Sequence, residues 1–189
     1  MAIWEMSESF EELLPFLRCE IPSFFKNKQR NLEWISSRIL LQQVIDSDFK
    51  LSKDEYGKPF LENEKSHISL THCSKYTAAI VSDKPTGIDI EHINERIHRI
   101  SDRFMNQKEK DSTPDKDDTL YKYLIWCAKE AVYKLYGRKA VDFSTHMNVL
   151  PFSISKTGKL TLEFTKKNLL RFEVNYMILE DHALAWVEA

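Results

Sequence analysis

Hydrophobic and polar positions alternate between two periods along the chain. Residues 1–6 read as a short first strand, and SESFEELLPFL opens with helix-starting chemistry, with Ser7 or Ser9 as the cap ahead of acidic residues. From Pro22 to about Asp46 the positions Phe24, Phe25, Leu32, Ile35, Ile39, Leu40 and Val44 recur at helical spacing and predict a long helix. YGKPFL at 56–61, punctuated by Gly57 and Pro59, predicts a turn into a short extended piece. HISLTHC, YTAAIVS and TGIDIE are three β-type runs split by turn residues and predict one small sheet. A helix over about 94–103 then carries Ile97, Ile100 and Phe104. Residues 106–118 are almost wholly polar and predict a solvated loop or hinge, the best internal boundary in the chain. TLYKYLIWCAKEAVYKLYG predicts a strong helix ending on Gly137, and PFSISK, KLTLEF, RFEVNYMI and HALAWVEA predict four more strands. The order implies an α+β protein of two lobes, 1–104 and 105–189.

Composition narrows the class. The 189 residues are 42% apolar, enough for a real core. A net charge of −2 argues against a nucleic-acid partner. Cys19, Cys73 and Cys127 have no CxxC spacing and read as reduced thiols of a cytoplasmic protein, with no structural zinc. No signal peptide and no membrane span is expected.

The candidate chemistry starts in TGIDIE. Side chains two apart in a strand share a face, so Asp89 and Glu91 point one way while Ile88 and Ile90 point into a core. Two like charges side by side need a cation, which a lysine, an arginine or a metal supplies. In WCAKEAVYK, Glu130 and Lys134 share a helix face, Trp126 lies one turn earlier, and Lys129 is about 100° round. Alone, Glu130 and Lys134 read as a surface ion pair, and Asp89 and Glu91 as solvated acids at a strand end. Together, Asp89, Glu91 and Glu130 supply the oxygen ligands that Mg²⁺ prefers, and Mn²⁺ accepts the same set. Lysines beside such a site would meet phosphate, which points to a pyrophosphate or phosphate-ester substrate.

GIDIE followed about 35 residues later by WCAKEAVYK resembles the paired signature of the 4′-phosphopantetheinyl transferase superfamily. YGKPFL upstream, ISLTHCSKYTAAIVS in the place of the FNISHS strand pair, RFMNQKE at 103–109 and YGRKAVDF after the signature helix widen the resemblance to roughly residues 26–155. The length resembles a compact member of the larger class, typified by the surfactin-synthetase activator. That class implies a pseudo-twofold fold of two similar α/β lobes, each with a small antiparallel sheet packed on a long helix, with the site in the cleft between them. It also implies a monomer that holds a complete site.

The resemblance implies transfer of the phosphopantetheine arm of coenzyme A onto a serine of an apo acyl or peptidyl carrier protein, with release of adenosine 3′,5′-bisphosphate. It assigns Asp89, Glu91 and Glu130 to Mg²⁺, Glu130 also to the serine proton, and Lys134 to the leaving phosphate. Lys129 is matched to phosphate or the incoming serine, His72 to a coenzyme A phosphate, Lys58 to the adenine end and Arg30 to the 3′-phosphate. The chain departs from the pattern where SHS reads Thr71-His72-Cys73, which weakens one coenzyme A contact, and where the GKGL loop reads GRKAV. Two rivals stand beside this reading: an Mg²⁺-dependent phosphohydrolase on a nucleotide-like substrate, and a non-catalytic relative that binds carrier protein.

Overall fold

The computed structural model of the chain describes residues 1–19, 21, 26–45, 49–62, 64–116 and 118–189. Strand β1 (Ala2–Glu5) leads to helix α1 (Phe10–Leu13), where Ser9 and Glu12 close a reciprocal capping box. Helix α2 runs Lys28–Val44. It starts later than the apolar spacing predicts, because the Asn27 side chain accepts the Gln29 and Arg30 amides and fixes the first turn there. Pro22, Phe24, Phe25 and Asp46 of the expected helix lie outside the described residues.

Strands β2 (Leu51–Lys53) and β3 (Pro59–Leu61) form a two-stranded ribbon whose connecting turn holds Gly57, at a φ of +91° that suits only glycine at low cost. Strands β4 (His67–Cys73) and β5 (Tyr76–Ser82) join β1 in an antiparallel sheet of order β1-β5-β4. The third run, β6 (Thr86–His92), does not join them as expected. It pairs antiparallel with β10 (His182–Glu188) along its whole length, from Thr86 opposite Glu188 to His92 opposite His182. That makes it the edge of a five-stranded sheet of order β6-β10-β9-β8-β7, completed by β7 (Met147–Val149), β8 (Thr157–Thr165) and β9 (Leu169–Leu179). PFSISK forms no strand. Pro151 has no amide to give, and the Tyr176 hydroxyl accepts the Ser155 amide and donates to the Ser153 carbonyl in place of a ladder.

Between the sheets in sequence lie α3 (Ile97–Phe104), α4 (Gln107–Asp111), α5 (Asp118–Tyr136) and α6 (Phe143–His146). The polar stretch 106–118 is therefore not simply a solvated loop. Asn106 and Glu109 close a second capping box there, and Glu109 is fully buried. Helix α5 ends where expected, with Gly137 at φ +66° and its amide on the Tyr133 carbonyl. Its apolar face, with Leu124, Ile125, Ala128 and Val132, builds the main core against Leu162, Val174 and Val187 of the large sheet. Helix α2 packs on the smaller sheet, where Ser36 and Thr77 share a buried hydrogen bond of 2.8 Å. The α+β architecture expected from the order of elements is the one formed. Among the described residues no helix is long and apolar enough to cross a membrane.

Strand β6 is fixed against both β4 and α5. It runs beside β4 in the same direction, although the two are not neighbours in a backbone ladder. The Ile88, Ile90 and His92 amides donate instead to Ser69 Oγ (3.1 Å), Thr71 Oγ1 (3.2 Å) and Cys73 Sγ (3.2 Å). On the helix side, β6 lies so close to α5 that a Cβ on Gly87 would overlap the Ala131 carbonyl oxygen and stand 2.8 Å from the Leu135 amide nitrogen. Glycine at that point lets the strand reach the helix.

Candidate active site

Strand alternation turns Ile88 and Ile90 into a fully buried cluster with Tyr76, Ala78, Ile80 and Leu184. Asp89 and Glu91 consequently face α5. The close approach at Gly87 brings them to the part of that helix which carries Trp126, Glu130 and Lys134. Lys134 is the cation that the two acids require. Its Nζ donates to Asp89 Oδ1 at 2.8 Å, to the Ile88 carbonyl at 2.9 Å and to the Leu70 carbonyl at 3.4 Å. Thr71 Oγ1 donates to the same Asp89 oxygen at 3.2 Å. The other oxygen, Asp89 Oδ2, is buried and has no hydrogen-bond partner among the described residues. Trp126 Nε1 donates to Glu91 Oε1 at 3.3 Å.

Three carboxylates thus gather near the Lys134 ammonium, and the crowding shows in the proton affinities of Glu91 and Glu130. Burial, reinforced by the Asp89 charge, holds the Glu91 carboxyl above the usual range. Burial, with Asp89 and Glu91 adding and Lys134 opposing, pushes Glu130 up to about 7. An unpartnered buried carboxylate oxygen beside two acids that resist ionising is the donor chemistry of a hard divalent cation. Among the described residues no three acidic, histidine or cysteine side chains close on a common point as a ready cage. Asp89, Glu91 and Glu130 are the residues that would hold such a cation.

Two concavities reach the cluster, one at Lys134 and one at Glu91. A cavity of about 240 Å³ lies between Tyr56, Lys58, Leu70, Tyr133, Lys134 and Arg138. A larger groove of about 790 Å³ is lined by Cys73, Glu91, His92, Arg96, Ile100 and Trp126, among others. Lys58 spans the first cavity to the Leu135 carbonyl at 2.7 Å, and burial lowers its proton affinity. His72 alternates with Thr71 and Cys73 and so faces α2, where Nδ1 stands 3.4 Å from Glu33. Burial pushes its imidazole down, with the Glu33 charge opposing. Arg30 is exposed in the first turn of α2. The α2 cation whose charge reaches His72 is Arg38, two turns further on, which lies over the Trp34 ring at 4.4 Å.

One expectation changes here. Lys129 is not at the phosphate side of the site. It is fully buried, and its Nζ donates to Glu109 at 2.7 Å and to the carbonyls of Phe104, Met147 and Phe143. The physical reason is its angle on the helix, about 100° from Glu130, which turns it into the core. Cys73 lines the larger groove. Its sulfur accepts the His92 amide in the seam between the sheets. In the sequence Thr71 is marked only by its place in the SHS-like triplet and Gly87 only as the first residue of GIDIE, and nothing there singles out Arg38 as a site residue.

Residues 85–187 match the 4′-phosphopantetheinyl transferase superfamily. The chain is 28% identical over 125 residues to the 4′-phosphopantetheinyl transferase Sfp of Bacillus subtilis (strain 168), covering 64% of this chain and 54% of that protein. It is 28% identical over 120 residues to the 4′-phosphopantetheinyl transferase gsp of Aneurinibacillus migulanus, covering 60% and 50%. It is 27% identical over 172 residues to the 4′-phosphopantetheinyl transferase psf-1 of Bacillus pumilus, covering 82% and 71%. The chain spans about half the length of the first two of these relatives.

Proposed function

Because the chain belongs to the 4′-phosphopantetheinyl transferase superfamily, we propose that it moves the phosphopantetheine arm of coenzyme A onto a serine of an apo carrier protein. The observation that carries this reading is the cluster of three acids and one lysine reached by two concavities of different character. The cavity with Lys58, Lys134 and Arg138 suits the phosphates of coenzyme A. The groove with Glu91, Trp126 and Ile100 admits the acceptor serine. The pyrophosphate then lies between them, over Asp89.

Asp89, Glu91 and Glu130 would hold Mg²⁺, or Mn²⁺ in its place, and the ion would supply Lewis-acid neutralisation of the pyrophosphate charge. The residues do the rest. The serine oxygen bonds to the β-phosphorus, and the bond from that phosphorus to the bridging oxygen breaks. Glu130, on the helix face that meets the acids of β6, accepts the serine proton. Lys134, already aimed at Asp89, meets the charge that develops on the departing adenosine 3′,5′-bisphosphate. Lys58, His72 and Arg30 are kept as coenzyme A contacts of this proposal, joined by Arg38. In this reading the chain divides near residue 104 into two lobes, with β6 lent by the first to the sheet of the second. One copy works alone in the cytoplasm, in keeping with its free Cys19, Cys73 and Cys127.

The test is intact mass spectrometry of an apo acyl carrier protein incubated with the protein, coenzyme A and Mg²⁺, with and without chelator. A gain of one phosphopantetheine arm that chelator abolishes is the expected result. Release of adenosine 3′,5′-bisphosphate without a carrier would instead mark a phosphohydrolase. Binding of several carriers without mass gain would mark a non-catalytic relative.

A further inference from the structure

Lys129 and Glu109 are buried titratable groups that this chemistry does not use, and their contacts lead back to the acids. The ammonium has three protons and four acceptors, so it is fully occupied. Two of those acceptors are the carbonyls of Phe104 (2.6 Å) and Phe143 (3.1 Å). The rings of the same two residues hold Trp126. Phe104 meets it edge-on with centroids 5.1 Å apart, and Phe143 lies tilted at 5.7 Å. Trp126 in turn donates its indole N–H to Glu91.

We infer that Lys129 is a positioning residue that sets Glu91 by clamping Trp126 between Phe104 and Phe143. The inference rests on the reading of Glu91 as a ligand to a divalent cation. Phe104 ends α3, and Phe143 begins α6 beyond the loop after α5. Lys129 fastens both segments to the helix that carries Trp126, so the indole is held from both sides by backbone that cannot drift. The Trp126–Glu91 bond of 3.3 Å is near the long limit, and a small movement of the ring would release the carboxylate. Partners one step removed from a metal are worth about 10- to 100-fold in affinity.

The experiment is Mn²⁺ titration of the full chain followed by electron paramagnetic resonance, beside metal-free coenzyme A binding by calorimetry. The variants are Lys129→Met/Glu109→Gln, which leaves no lone buried charge, Trp126→Phe, which keeps a ring but removes the donor, and Phe143→Leu, which takes away one wall of the clamp. We expect the first two to weaken Mn²⁺ binding about tenfold, to weaken it no further when combined, and to leave coenzyme A binding unchanged. Should the double variant not fold, Phe143→Leu and Trp126→Phe carry the same expectation. Unchanged Mn²⁺ affinity in the variants would overturn the inference. So would a loss of coenzyme A binding alone, which would return Lys129 to the phosphates. If wild type bound no Mn²⁺, or Asp89→Ala bound it equally well, the metal reading itself would fall and take the inference with it.

Discussion

Lys129 and Lys134 leave helix α5 little more than a turn apart, and each meets a carboxylate, yet their surroundings are opposites. The Lys129–Glu109 pair is sealed, with both side chains 0% exposed. Beyond the lysine, Glu109 accepts the Asn106 and Val149 amides, so the charges are compensated from both ends. The Lys134–Asp89 pair is 30% and 7% exposed, has a concavity at its lysine, and leaves Asp89 Oδ2 without a hydrogen-bond partner among the described residues. Two further acids lie near its ammonium. Burial with full compensation holds the architecture. Burial with incomplete compensation beside open space marks chemistry.

The comparison breaks most visibly at the open pair. Asp89→Ala and Glu130→Ala should each lower carrier modification by about 10³-fold or more while leaving the far-ultraviolet circular dichroism spectrum intact. Lys134→Ala should lower turnover more than coenzyme A affinity, as steady-state kinetics would show. Metal-dependent activity in Asp89→Ala would remove that residue from the ligand set. At the sealed pair the expectation reverses. Lys129→Met or Glu109→Gln alone should cost about 3–5 kcal/mol of stability in urea melts, and the double variant should recover much of it. A single variant as stable as wild type would show that the charge is not sealed.

Smaller effects sharpen the contrast. Glu130 titrates near 7 in the folded chain against an ordinary value of 4.5, so between those values the folded state binds more protons than the unfolded one. Stability of the metal-free protein should therefore fall as pH rises through that window, by at most about 3 kcal/mol. Glu130→Gln should flatten the slope, and Mg²⁺ should restore stability at pH 8 in wild type only. A slope unchanged in the variant would point to another group. Smallest of all, Thr71→Val removes one bond to Asp89 and one from the Ile90 amide, at a cost of about 1–2 kcal/mol. Thr71→Ser should restore both, and equal melts for the two variants would deny the hydroxyl its role.

How much of this could be read from sequence depended on distance along the chain. The acids were legible because strand and helix periods fix faces locally: Asp89 with Glu91, and Glu130 with Lys134. The same geometry placed Lys129 off that face, and the structure agrees with the geometry over the family match. Elements that depend on remote partners were not legible. The sheet to which β6 belongs is decided by β10, some ninety residues on. The buried role of Glu109 within a polar stretch is decided by Lys129, twenty residues on. The β7 strand is only three residues long, too short for a period to declare itself.

The seam between β4 and β6 gives the protein an internal gauge. Each of its three rungs is a single side chain on a single amide, at Ile88, Ile90 and His92, and these amides flank Asp89 and Glu91. Their proton exchange with solvent is governed one rung at a time, whereas a backbone ladder opens cooperatively. Three resonances in a nitrogen–proton spectrum therefore report on the acids from behind, without a label and without touching the groove. A ligand that tightens Asp89 should slow exchange at Ile90 through Thr71, while a cut rung should speed exchange at its own amide and spare the other two.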